Sequence, residues 1–109
     1  MTYCVVFSTV HSQEEAEKIA EILLKNRVAS CVQFIPITSL YHWQGNIERA
    51  KEILLLIKTT DSLYHYVEEL IRENHSYEVP QVVKLPISAG LPEYLNWITA
   101  ETVYSSERN

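Results

Sequence analysis

Residues 30–59 have the sequence SCVQFIPITSLYHWQGNIERAKEILLLIKT, and this stretch decides the fold. Two long segments rich in β-branched and aromatic residues, 30–43 and 46–59, flank Gln44 and Gly45. Glycine readily takes the positive φ that a tight hairpin turn requires, and the whole chain contains only two glycines. The stretch therefore predicts a β-hairpin with two long arms.

The rest of the chain shows alternating strand and helix patterns. Residues 2–9 and 81–87 are rich in strand-forming side chains. Ser12 and Glu15 have the spacing of a capping box, and apolar residues follow at helical intervals to about residue 26.

Two further helices complete the predicted order. One starts at Thr60 or Asp61, and the last starts near Pro92, because proline suits the first turn of a helix. The order is βαββαβ plus a C-terminal helix. It predicts an α+β fold of the ferredoxin-like split βαβ type, with a long projecting β-hairpin, in a single domain over residues 1–109.

Charge and composition narrow the classes of function. The formal net charge is −5 and only nine Lys and Arg residues occur, which disfavours a nucleic-acid surface. The longest apolar run, residues 53–57, is far shorter than the roughly 20 residues that cross a bilayer. Cys4 and Cys31 lie far apart, without CxxC spacing. These features predict a cytoplasmic protein that binds neither nucleic acid nor membrane.

Two features predict self-association. Residues 53–57 (ILLLI) are apolar at every position, so both faces of that strand require cover. Hairpin arms of this length should project beyond the body of the domain. The projecting part carries Tyr41, Trp43 and Ile47, which we predict to lie at a subunit interface because two-stranded ribbons are marginally stable alone.

Five segments together resemble the CutA divalent-cation-tolerance family. They are VASCV at 28–32, ITSLYHWQG at 37–45, EILLLIKT at 52–59, HSYEVP at 75–80 and YLNW at 94–97. The resemblance implies a ferredoxin-like subunit and a homotrimer built through sheet edges and long hairpins. It also implies structural kinship with PII-type signalling trimers.

The resemblance further implies two candidate metal ligands, His75 and Cys31. A thiolate favours soft ions, and an imidazole favours copper or zinc. The alternatives are a small core cysteine and a loop histidine that hydrogen-bonds to backbone. Ser8 and Asn74 occupy positions where family members carry better ligands, so we predict weak binding of Cu²⁺ or another divalent cation. Ser76 replaces the usual proline.

Glu52, Lys58, Tyr77 and Glu78 are polar residues that match the family pattern. They predict a cleft between subunits in which a carboxylate beside a lysine binds a small ligand. Ion pairing of Glu52 and Lys58 within the trimer is an equal alternative. The chain contains no GxGxxG, GxxxxGK[ST] or GxSxG motif, so we do not expect an enzyme.

The predicted function is therefore that of a trimeric cytosolic protein in divalent cation (copper) tolerance, acting through weak metal binding. Two alternatives stay open at this point. One is a PII-like sensor, in which a small molecule alters contact with an unidentified partner protein. The other is a scaffold whose trimer is itself the function.

Overall fold

The structure, a computed structural model, describes residues 1–103 of the chain. It has the predicted βαββαβα order, which confirms the α+β fold class. The elements are β1 (Tyr3–Val10), α1 (Gln13–Lys25), β2 (Cys31–Trp43), β3 (Asn46–Thr60), α2 (Tyr64–Asn74, entered through a 3₁₀ turn at Asp61–Leu63), β4 (Val82–Ile87) and α3 (Pro92–Glu101). Among these residues, no helix combines the length and apolar character needed to span a bilayer.

The four strands form one antiparallel sheet in the order β2-β3-β1-β4. β1 and β3 are central, and β2 and β4 are edges. Pro36 and Pro86 both lie on the edge strands. This placement is the expected one, because proline cannot donate to a hydrogen-bond ladder and is tolerated mainly at sheet edges.

The hairpin of β2 and β3 turns tightly at two residues. Gln44 and Gly45 have φ values of 50° and 83°, the two positive angles of a type I′ turn. Pairing then runs without interruption from Trp43–Asn46 to Cys31–Lys58. The described chain accordingly has a longest principal extent of 43 Å, as the predicted projecting hairpin requires.

The core lies between one face of the sheet and helices α1 and α2. Alternate residues of β1 and β3 point into it, and they pack against the apolar stripes of both helices. The fully buried members include Val6, Val10, Leu55, Ile57 and Leu23.

The other face of the sheet, here called the open face, is apolar but only partly covered. It consists of the outward alternate positions of all four strands: Phe7, Ile35, Leu54, Leu56, Val83 and Leu85. Helix α3 covers one end, where the Tyr3 hydroxyl hydrogen-bonds Thr99 Oγ1 at 2.6 Å and Lys58 contacts Tyr94. Residues 53–57 are thus apolar on both faces, as predicted, and two of the five, Leu54 and Leu56, face the uncovered side.

Two buried hydroxyls in the core should respond oppositely to removal. Ser8 Oγ is buried without a hydrogen-bond partner among residues 1–103, whereas Thr59 Oγ1 donates to Val28 O at 2.6 Å. We expect Ser8→Ala to raise the free energy of unfolding by about 1 kcal/mol and Thr59→Val to lower it by about 1–2 kcal/mol. Urea denaturation measures both. A Ser8→Ala loss as large as that of Thr59→Val would show that Ser8 is hydrogen-bonded.

Candidate functional site

A cleft of 620 Å³ opens where the hairpin leaves the body of the subunit. One wall is formed by the hairpin, and the other is formed by the segment 77–81 between α2 and β4. We call it the hairpin cleft. Its chemically distinctive lining residues are Tyr41, Trp43, Glu52, Tyr77, Glu78 and Gln81.

The cleft contains a buried carboxylate. Glu52 lies on β3 and is only 7% exposed. The Tyr77 hydroxyl donates to Glu52 Oε2 at 2.7 Å. Burial, together with the hydrogen bond to the Glu52 carboxylate and its negative charge, raises the pKa of Tyr77 well above its usual range. The phenol therefore stays protonated and remains a hydrogen-bond donor to Glu52.

His75 fixes the start of the segment that carries Tyr77. The Tyr77 backbone N–H donates to His75 Nδ1 at 3.0 Å, so Nδ1 is unprotonated. Nε2 therefore carries the proton and donates it to the Thr9 carbonyl oxygen at 2.7 Å. The imidazole is fully buried, and its ring lies 4.7 Å from that of Tyr77. Both ring nitrogens are thus used within the subunit.

Glu15, near the start of α1, holds the same segment from the other side. The Ser76 backbone N–H donates to Glu15 Oε2 at 2.8 Å, and the Ser76 hydroxyl donates to Oε1 at 2.9 Å. His11 Nδ1 also contacts Oε1. Burial alone would raise the pKa of Glu15, but the hydrogen bonds from Ser76 and His11 bring it below its ordinary value. A proline at position 76 would lack both donors.

The predicted metal ligands do not form a site within one subunit. His75 has no free nitrogen, and Cys31 lies near the other end of the sheet, paired with Lys58. Residues 1–103 contain no group of three or more His, Cys, Asp or Glu side chains placed to hold a metal ion. The residues of one subunit within 1–103 therefore do not fit a copper site, and ligation by His75 and Cys31 stays a prediction.

Three of the four predicted cleft residues come together. Glu52, Tyr77 and Glu78 line the hairpin cleft, whereas Lys58 does not. Lys58 lies six positions along β3, about 20 Å away at the usual strand rise. There its ammonium donates to Gln33 Oε1 at 2.7 Å and to the Tyr94 hydroxyl at 3.4 Å.

Two of the three predicted interface residues also line the hairpin cleft. Tyr41 and Trp43 line the hairpin cleft and remain exposed, and Ile47 is exposed on the hairpin.

Sequence reasoning missed the role of Glu15. The capping-box pattern drew attention to it, and Ser12 does cap the helix by accepting from Glu15 N at 3.1 Å. The Glu15 carboxylate, however, binds Ser76.

Cys4 should make the protein less stable in alkali. Burial, followed by the charge of Asp61, raises the pKa of the Cys4 thiol to about 12. An unfolded cysteine ionises near pH 8.5, so the stabilising contribution is complete below that pH and is lost as pH rises toward 12. We expect the free energy of unfolding to fall more steeply above pH 8.5 in the wild type than in Cys4→Ala. Parallel pH curves from urea denaturation would contradict this.

Comparison with known proteins gives a consistent family. The family described as "CutA1 divalent ion tolerance protein" matches residues 4–101. The chain is 43% identical over 99 residues to the divalent-cation tolerance protein CutA of Thermus thermophilus, covering 90% of this chain and 96% of the relative. It is 43% identical over 93 residues to mouse protein CutA, covering 84% of this chain but 52% of the longer relative.

A solved structure shows the same fold. The crystal structure of CutA1 from Oryza sativa matches with a TM-score of 0.93 at 37% identity, covering 96% of this chain and 97% of that one.

Proposed function

The chain belongs to the CutA1 divalent ion tolerance protein family, and on that premise we propose that it acts in divalent-cation tolerance as a cytoplasmic homotrimer. The observation that supports assembly is the open face, which leaves apolar side chains of all four strands partly uncovered. Contiguous exposed patches of this kind on a soluble subunit mark interaction surfaces. Both cysteines are free, which agrees with a reducing compartment.

The edges and the hairpin supply further contacts for assembly. The outer backbone groups of β2 and β4 have no partner strand within the described subunit. Unpaired edges invite pairing with another chain unless they are blocked. Leu40 and Ile47 are among the most exposed large apolar side chains. Three copies are the number that the family resemblance implies.

Light scattering of the purified chain tests the assembly. We expect a mass three times that of the 12.6 kDa subunit. A mass equal to one subunit at micromolar concentration would overturn the homotrimer.

The proposed metal binding is weak and requires ligands from more than one subunit or a change at His75. Copper would have to displace one of the two hydrogen bonds that occupy the imidazole. Calorimetric titration with Cu²⁺ is the direct test, on wild type, His75→Ala and Cys31→Ser. A weak binding isotherm that is lost in one variant would assign the substituted residue as a copper ligand. The absence of any heat in the wild type would reject direct copper binding.

The hairpin cleft favours a second candidate function, that of a small-molecule sensor. It combines a buried carboxylate, a protonated phenol and aromatic walls in 620 Å³, a size typical of small-molecule sites. The cleft borders the hairpin, which we propose to lie at the subunit interface. A ligand there would therefore act on assembly or on a surface that a partner protein contacts. Binding, and no catalytic step, is the proposed role.

A further inference from the structure

We propose that the hairpin cleft binds a small organic cation with N–H donors, an ammonium or guanidinium group, between the carboxylates of Glu52 and Glu78 and the rings of Tyr41 and Trp43. This inference rests on the sensor candidate and names the chemical class of its ligand. It requires no copper binding, and in the proposed homotrimer the cleft borders the subunit interface at which the hairpin lies.

The charges around the cleft select a cation. Glu52 and Glu78 both line it, and no Lys or Arg of residues 1–103 does, so His42 is its only basic lining residue among them. Lys51, the neighbour of Glu52 on β3, does not line the cleft, because successive side chains of a strand point to opposite faces. Lys58, on the same face as Glu52, is engaged by Gln33 and Tyr94. Glu52 as a residue is 7% exposed and thus mostly withdrawn from water, and in the described subunit a neutral phenol supplies a hydrogen bond to its carboxylate. Such a group gains most from a positively charged partner.

The geometry of Glu52 leaves room for that partner. The Tyr77 hydroxyl occupies Oε2, and a carboxylate oxygen accepts more than one hydrogen bond. The phenol therefore fixes the carboxylate orientation while Oε1 remains able to accept from a ligand. Ammonium and guanidinium groups donate several N–H bonds, which suits two carboxylates on one cleft.

The aromatic walls favour an organic cation over a bare metal ion. Tyr41 and Trp43 line the cleft from the hairpin side. Indole and phenol rings attract ammonium and guanidinium groups through their negative faces. Hard divalent ions instead need six or more oxygen ligands, or several tightly held waters, and aromatic rings supply none.

The cleft wall is held in place before any ligand arrives. His75 binds the Thr9 carbonyl and the Tyr77 amide, and Glu15 binds Ser76 twice. These contacts set the position of Tyr77, which in turn orients Glu52. A preformed site loses less conformational entropy on binding than one that must be ordered.

The experiment is isothermal titration of the full chain with agmatine, which carries both a guanidinium and an ammonium group, in buffer with EDTA. Glutarate serves as the anionic probe and 1,5-pentanediol as the neutral probe. We expect agmatine to bind and expect no binding of glutarate or 1,5-pentanediol. Glu52→Gln, which keeps the shape of the side chain, should weaken agmatine binding at least about tenfold. Glu78→Gln should weaken it about threefold.

Glu69→Gln is the matched control, because Glu69 is exposed on α2 outside the cleft and the change in net charge is the same. It should leave agmatine affinity unchanged. If Glu52→Gln does not fold, Glu78→Gln is the deciding variant, because Glu78 is exposed. Unchanged agmatine affinity in Glu78→Gln would then overturn the site. Binding of glutarate without agmatine would reject the cation and leave the sensor candidate standing. If none of the three probes binds, both the cation site and the sensor candidate are rejected.

Discussion

A chain carrying Ile35→Glu is expected to fold and to remain a single subunit at concentrations where we expect the wild type to be a trimer. Ile35 is 44% exposed on β2, and its pairing partner Leu54 places it on the open face. An exposed position tolerates glutamate in the isolated subunit. In a trimer that buries the open face, the three introduced carboxylates would lose their hydration without cationic partners. The contacts that one residue makes in the interface cannot offset this desolvation cost.

Leu24→Glu is the control for this substitution. Leu24 is 41% exposed on α1, on the helix side of the sheet, so the residue change and the exposure are nearly the same. Light scattering should give one subunit for Ile35→Glu and three for Leu24→Glu, with circular dichroism spectra like that of the wild type. A trimeric Ile35→Glu chain would place the interface elsewhere than the open face.

The fold was predictable because its signals are local. The strand and helix boundaries follow from short patterns, such as Ser12 before an apolar helical stripe and Gly45 between two long strand segments. The long hairpin also fixes most of the sheet, because its two arms are adjacent in sequence and pair from the turn outward. The apolar run at 53–57 then indicated a sheet with two faces to cover.

The site was predictable only in part because its contacts are distant in sequence. Glu15 and Ser76 are 61 positions apart, and His75 and Thr9 are 66 apart. No spacing rule relates such pairs. The resemblance singled out His75 as a metal ligand, but it carries no information on which nitrogen is free, and the structure shows both engaged with backbone. Lys58 matched the pattern of the cleft residues, yet six positions along a strand remove it from Glu52.

Glu15→Ala should lower the free energy of unfolding by about 2–3 kcal/mol and loosen the segment that starts at Ser76. The Glu15 side chain is 9% exposed, and its carboxylate accepts two hydrogen bonds from Ser76. Hydrogen bonds to a charged group contribute about 1.5–3 kcal/mol each, and part of that returns when the exposed Ser76 binds water instead. Urea denaturation measures the stability loss. Hydrogen exchange should show a faster Ser76 amide.

Glu14→Ala separates this effect from the charge at the start of the helix. Glu14 is exposed in the same first turn of α1, so its removal alters the interaction with the helix dipole by a similar amount, a few tenths to 1 kcal/mol. The pKa of Glu15 is lower in the folded chain than its ordinary value of about 4.3. The contribution of Glu15 to the free energy of unfolding is therefore complete above that ordinary value and is lost as pH falls below it. The difference between wild type and Glu15→Ala should therefore shrink in acid. If Glu15→Ala and Glu14→Ala lose equal stability at neutral pH, and the Ser76 amide exchanges at the wild-type rate, Glu15 acts only as a helix charge and does not hold the cleft wall.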